Sequence, residues 1–278
     1  MGRPDVVILG CGYTGRRVAA RLLRRGVPVL ATTRNPQKLD EVAALGGTVL
    51  RLDVLEADSL WRLGEAVALP IRVLHSIPVV EGPAGPFDPT PKLLHALAGR
   101  IRRLVYLSTT GVYGASTHVD ETTPAAPLGE RERLRVAAEQ AVLGGEWSAL
   151  VLRPAAIYGP GRGVHESMRQ GRYRLTGDGS NFVSRIHVED LAAIAEAALD
   201  SELTGAYPVA DEEPCTARRM AEFCAGLLGL PVPESVQPDG LPRTRQVDRR
   251  VDGGAILRLL GVRLRYPSYR EGVPASLG

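Results

Sequence analysis

Val6-Val7-Ile8-Leu9 is an unbroken apolar run rich in β-branched residues, closed by Gly10. A run without polar interruption reads as a strand covered on both faces. From residue 16 to 25 the period changes. Val18, Ala19, Leu22 and Leu23 recur at helical spacing, and Gly26 stands where a helix end favours glycine. The exchange of periods then repeats. Strands are predicted at 27–33, 48–52, 72–76, 104–107 and 149–152, and helices at 37–45, around 60–67, at 92–97 and at 131–143. Residues 78–91, rich in proline and glycine, read as a loop. Past Gly159 the pattern loosens. Helices remain at 188–199 and 218–228, and the proline-rich 231–242 reads as a loop. Short apolar strands alternating with amphipathic helices call for a parallel sheet with right-handed crossovers.

Composition narrows the class. The 278 residues suit one doubly wound α/β body with a modest C-terminal lobe. The hydrophobic content of 44% can bury a sizeable core. A net charge of +3, nearly all of it arginine with only Lys38 and Lys92 as lysines, gives no electrostatic case for nucleic acid or an anionic membrane. Cys11, Cys215 and Cys224 lack metal-ligand or disulfide spacing. No metal is therefore expected, and a reducing cytoplasm is the default. No signal pattern opens the chain, and no apolar run is long enough to span a bilayer.

Gly10-Cys11-Gly12-Tyr13-Thr14-Gly15 carries the G-x-G-x-x-G spacing. It follows a buried strand and opens a helix, the context that gives the motif meaning. The first glycine makes the tight turn, the second admits a pyrophosphate and the third lets helix and strand pack. A Rossmann-type dinucleotide site is predicted. An NAD site places Asp or Glu at the end of the second strand to bond the ribose 2′-hydroxyl. Here Thr32-Thr33-Arg34 stands instead. Arg34 suits a 2′-phosphate bidentately and the threonine hydroxyls can donate to it, so the cofactor expected is NADP(H) rather than NAD(H). Arg16 and Arg17 either add to the phosphate field or form an exposed helical face. Asp53 either accepts from the adenine amino group, with Val54 on the ring, or caps a helix. Cys11 is read first as a small packing residue, although a helix N-terminus can lower a thiol pKa.

Three later blocks give these features a family context. Tyr106-Leu107-Ser108-Thr109-Thr110-Gly111-Val112-Tyr113-Gly114, Leu152-Arg153-Pro154 through Ile157-Tyr158-Gly159-Pro160-Gly161-Arg162, and Arg185-Ile186-His187-Val188-Glu189-Asp190-Leu191-Ala192 occur in that order. Together with the glycines they resemble the extended and atypical short-chain dehydrogenase/reductase superfamily, the NAD(P)-dependent epimerase/dehydratase-like proteins. The resemblance implies a Rossmann domain over 1–160, with a returning segment near 183–210, and a smaller substrate-binding lobe over 161–278. It places Thr109 at the catalytic Ser/Thr position and Ser76, Pro154 and Ile157 beside the cofactor. Ser108 or Thr110 remains an alternative hydroxyl. His187 is assigned to hydrogen bonding between domains.

The superfamily's Tyr-x-x-x-Lys aligns with Arg131 and Arg135. Arginine exchanges no proton near neutrality, so Arg131 cannot replace the tyrosine, while Arg135 can still bond a ribose. Asp88 falls at the position of an active-site asparagine. Tyr113, Tyr158, Asp88 and His75 are the remaining acid/base candidates. The arginines at 162, 169, 172, 174 and 185 either suit an anionic substrate such as a nucleotide-sugar or form a solvated face. The implied function is an NADP(H)-dependent oxidoreductase or epimerase/dehydratase-like enzyme acting on a small molecule. The alternative is a non-catalytic NADP(H) sensor or scaffold. The helices at Lys92 and 131–143 correspond to those that pair in related homodimers.

Overall fold

The computed structural model describes residues 3–68, 70–237 and 247–278. Seven strands form one sheet: β1 (Val6–Leu9), β2 (Val29–Thr33), β3 (Thr48–Arg51), β4 (Ile71–His75), β5 (Ile101–Leu107), β6 (Ser148–Pro154) and β7 (Gly205–Val209). Their order is β7-β6-β5-β4-β1-β2-β3. Parallel ladders join every neighbour from β6 across to β3. All four β1 side chains are buried, as an apolar run without alternation requires. Among the described residues, the α-helices between β1 and β6 are α1 (Tyr13–Arg24), α2 (Asp40–Ala44), α3 (Ala57–Glu65), α4 (Thr90–Ala96) and α5 (Glu130–Leu143). Helix α1 buries Val18, Ala19 and Leu22. Full burial of the valine and the leucine contributes about 1.5–3 kcal/mol each. Gly26 ends α1 in a left-handed turn at φ 75°. Its amide bonds Leu23 O and that of Val27 bonds Leu22 O, the paired C-terminal bonds of a Schellman motif.

From β1 the chain winds outward to β2 and β3, then returns to β4 and continues the other way. The strand order therefore reverses between β1 and β4, and a crevice at their C-terminal ends is where such sheets bind ligands. One hydrophobic cluster on the sheet includes Val7, Leu9, Leu30, Val73, Leu104 and Val151, packed with helix residues Leu63, Leu93, Leu97 and Val142.

Three sequence expectations change. The segment 78–91 is not all loop: Val80–Gly82 and Gly85–Phe87 form an antiparallel hairpin, its turn closed by Gly85 at φ 108°. Residues 37–45 do not make one helix. Pro36–Leu39 is 3₁₀, because Asn35 accepts from the Gln37 amide and Pro36 sets the first turn, and α2 follows. Within 231–242, Ser235–Val236 is a strand paired with Leu175–Thr176. Residues 238–242 lie outside the described residues.

The chain divides into two compact units. The first holds Met1–Val112, Pro127–Arg153 and Ala192–Ala206, and the second Tyr113–Ala126, Pro154–Leu191 and Tyr207–Gly278. The second unit is built from short strand pairs, among them Ala156–Tyr158 with Arg185–His187 and His118–Val119 with Arg250–Val251. Its core gathers Tyr158, Met168, Met220, Cys224, Tyr269 and Val273. Among the described residues no helix is long and apolar enough to cross a membrane.

Candidate functional site

A pocket of about 560 Å³ opens at the strand-order reversal. Gly10, Gly12, Thr33, Arg34, Asp53, Val54 and Ser76 all line it, so the structure brings together the expected residues from four strand ends. Each glycine has its own constraint. Gly10 has φ 78°, and a Cβ there would lie 2.6 Å from Ile77 Cγ1. Gly15 faces Ile8 Cγ2 at 3.1 Å, the close helix–strand contact the motif requires. At Gly12 a Cβ would meet nothing nearer than Gly10 O at 3.9 Å, which leaves open space above the turn. Helix α1 begins there with no side-chain cap and no carboxylate in its first turn, and Tyr13, Thr14 and Gly15 are its first residues. An uncapped N-terminus with open space before it is a ready anion site. The residues present fit a dinucleotide pyrophosphate.

The walls are held by hydroxyls the sequence had assigned to ligand. Ser76 Oγ donates to Gly10 O at 2.7 Å, and buried Thr32 Oγ1 accepts from the Gly10 amide at 3.1 Å. Thr33 Oγ1 donates to Asn35 O and accepts from the Asn35 amide. These threonines therefore shape the turn, and the phosphate-binding part of the expectation falls to the exposed Arg34. Asp53 is not a helix cap. It accepts from the Leu55 amide at 3.0 Å while Glu56 occupies the N-cap of α3. Arg17 is spent on α1 itself, donating to Tyr13 O and lying 4.3 Å over the Tyr13 ring. Cys11 has no lowered thiol pKa: burial raises it to about 12.

Residues 77–81 form the remaining wall, fastened from α5. Arg135 donates to Ile77 O at 3.2 Å; one turn earlier, Arg131 donates to Val79 O at 2.9 Å and to the Glu81 carboxylate at 2.5 Å. The two arginines form a clasp on this pocket wall. Arg135 also contacts Asp88 at 3.3 Å and donates to the Tyr106 hydroxyl. Asp88 accepts from Tyr106 at 3.0 Å and from the Thr90 amide and hydroxyl. Thr90 Oγ1 lies 2.8 Å from His75 Nε2, and His75 Nδ1 accepts from the Ile77 amide. The His75 ring is therefore neutral with its proton on Nε2. Burial lowers its pKa to about 3. Burial likewise raises that of Tyr106. His75 is a satisfied core residue, and Asp88 is buried and fully engaged.

Thr109 Oγ1 accepts from the Gly111 amide at 3.1 Å and is half-buried, while Ser108 Oγ is buried with no partner. Tyr113, Pro154 and Ile157 lie in the second unit, and Tyr113 is fully buried. Tyr158 is buried there too, and burial raises its pKa. His187 bonds Ser276 and the Glu189 amide, both within its own unit. Of the arginine group, Arg185 is buried, bonding Val183 O and Cys215 Sγ, whereas Arg174 turns back on Gly171 O.

Sequence reasoning missed the 77–81 wall, because a Gly/Pro-rich segment carries no periodic signal. It also missed Asp211, a single aspartate after β7. Asp211 is buried, with the Glu213 amide at its carboxyl.

Residues 6–210 match the NAD dependent epimerase/dehydratase family. Protein YeeZ of Escherichia coli (strain K12) is 30% identical over 283 residues, covering 94% of this chain and 96% of that protein. A 2-alkyl-3-oxoalkanoate reductase of Stenotrophomonas maltophilia (strain K279a) is 31% identical over 80% of this chain and 74% of its own length. A solved structure of a functionally unknown conserved protein from Silicibacter pomeroyi DSS is 36% identical, with a TM-score of 0.81 over 98% of this chain and 97% of that one. With a Rossmann-type sheet, a glycine turn shaped for pyrophosphate and a family match over most of its length, the chain belongs to the NAD dependent epimerase/dehydratase family of NAD(P)-binding, short-chain-dehydrogenase-like oxidoreductases and epimerases.

Proposed function

We propose that the first unit holds NADP(H) in preference to NAD(H), and that the protein is a reductase of a small carbonyl compound. Arg34 carries this reading. It lines the pocket at the end of β2, is exposed, and stands where a ribose-binding carboxylate would otherwise sit. The α1 N-terminus takes the pyrophosphate, Arg34 pairs with the 2′-phosphate, and Asp53 and Val54 flank the adenine. When bound, the dinucleotide supplies the hydride. Thr109, whose Oγ1 accepts from the Gly111 amide, would donate a hydrogen bond to the substrate carbonyl oxygen, and solvent would supply the proton that completes the alcohol. The reductase named above supports carbonyl chemistry. The second unit is read as the substrate lobe.

Calorimetric titration with NADPH and NADH tests the cofactor. A charge-assisted pair is worth about 1.5–3 kcal/mol, hence about 10- to 150-fold in affinity. NADPH is expected to bind more tightly by that factor, and Arg34→Ala to erase the difference. Equal binding of the two, or an Arg34→Ala variant unchanged toward NADPH, refutes it. A second reading, a non-catalytic NADP(H) sensor, is favoured by the clasp: Arg131 and Arg135, aligned with the superfamily's Tyr and Lys, hold the wall instead. Tight NADPH binding with no oxidation of it by a panel of 3-oxoalkanoates and other carbonyls selects that reading.

A further inference from the structure

Ile77, Pro78 and Val79 belong to no helix or strand, yet all three line the dinucleotide pocket. Among the described residues, every hydrogen bond to their backbone comes from a side chain. The Ile77 amide donates to His75 Nδ1, Ile77 O accepts from Arg135, and Val79 O accepts from Arg131. Pro78, between them, has a fixed φ and no amide to give. We propose that Arg131 is a positioning residue of this pocket: it holds 77–79 as a strap along the wall and so sets how long a bound dinucleotide stays. The inference rests on the dinucleotide reading above.

The strap matters to a ligand because Ile77 stands against the glycine turn. Ile77 Cγ1, N and Cα lie 2.6, 3.1 and 3.3 Å from the point that a Cβ on Gly10 would occupy. A strap that shifts therefore frees the turn that presents the α1 N-terminus to the pyrophosphate.

The two arginines hold different ends. The Arg135 side chain is 11% exposed, and its guanidinium is shared with Asp88 and Tyr106. It anchors the inner end, and removing it disturbs that buried network as well. The Arg131 side chain is 56% exposed and holds the outer end from solvent, with Val79 O on one nitrogen and Glu81 on the other. Its bond to Val79 is charge-assisted and reaches a buried residue. Glu81 gives it a second effect. That carboxylate also lines the pocket, where left unpaired it would repel phosphates, and the Arg131 guanidinium neutralises it. Arg131 itself is not among the lining residues, so it acts on the ligand through the strap and through Glu81.

The test is stopped-flow release of NADPH from the full chain, read by its fluorescence during a chase with excess NADP⁺. Loss of a charge-assisted bond is expected to speed release about tenfold in Arg131→Met, with association changed less. Arg131→Lys keeps the charge and a donor, and is expected to recover part of the difference. Glu81→Gln leaves the Val79 bond in place and should change release by less than about fivefold. Hydrogen exchange of the chain without dinucleotide should show faster exchange over 79–82 in Arg131→Met and none over β1. Circular dichroism melting curves show that each variant is folded. Unchanged release from a folded Arg131→Met, or release from Arg131→Lys as fast as from Arg131→Met, overturns the inference and leaves the dinucleotide reading standing. Failure of the wild-type chain to bind either NADPH or NADH overturns both.

Discussion

Asp211→Asn removes one proton-binding group from the interior of the second unit, and the sign of its effect is fixed by where the proton sits. Burial raises the Asp211 pKa from 3.8 to about 8, with Arg185 and the Glu213 amide offsetting part of the shift, and Glu213 and Asp190 adding to it. Between those values the folded chain keeps a proton that the unfolded chain has released. The group's contribution to stability is thus fully present below pH 3.8 and is lost as pH rises toward about 8. Each pH unit in that window costs about 1.4 kcal/mol. From about pH 5 to about pH 7 the loss is about 2.7 kcal/mol, and 3% exposure leaves little water to screen it. Asparagine keeps the shape and carries no titrating proton. Asp211→Asn should therefore raise stability, and raise it more at the higher pH. At about 2–4 °C per kcal/mol, the extra gain in Tm at pH 7 over pH 5 is about 5–10 °C by scanning calorimetry. Comparing variant with wild type at each pH cancels the titration of every other group. A gain independent of pH, or a ¹³C-detected Asp211 carboxyl titrating near 4, refutes the reasoning.

Two further predictions address the dinucleotide pocket. Gly10→Ala places a Cβ in a left-handed backbone and against Ile77, so both melting temperature and NADPH affinity should fall. Gly12→Ala meets no close atom in the protein, so calorimetry should show a near wild-type melt with NADPH binding at least tenfold weaker. Arg135→Ala leaves Asp88 buried without its cation and should destabilise by about 3–5 kcal/mol in denaturant titration. Adding Asp88→Asn should recover part of that loss, and additivity of the two would deny the coupling.

The sheet was legible because its central strands are covered on both faces. Runs such as Val6–Leu9 read as buried strands, and the glycine turn that follows has a steric constraint at Gly10 and at Gly15. Arg34 was legible for a related reason: its place at the end of β2 is set by chain order alone. The acid/base candidates were not. His75 and Asp88 differ from catalytic groups in their partners, and those partners come from the start of α4, from β5 and from α5. No local spacing encodes that meeting. The clasp was hidden for the same reason: an arginine one turn from another looks like a solvated helix face until the hairpin folds back beneath it.

That clasp has a consequence for how the sequence can change. Substituting Arg131→Tyr and Arg135→Lys, to install the superfamily's proton-handling pair, would also delete three hydrogen bonds to the 77–81 segment. Either substitution alone loosens the wall before any chemistry is gained. The two properties are epistatic, and simple point mutation is a poor route between them. Installing that pair would first require residues 77–81 to find another anchor.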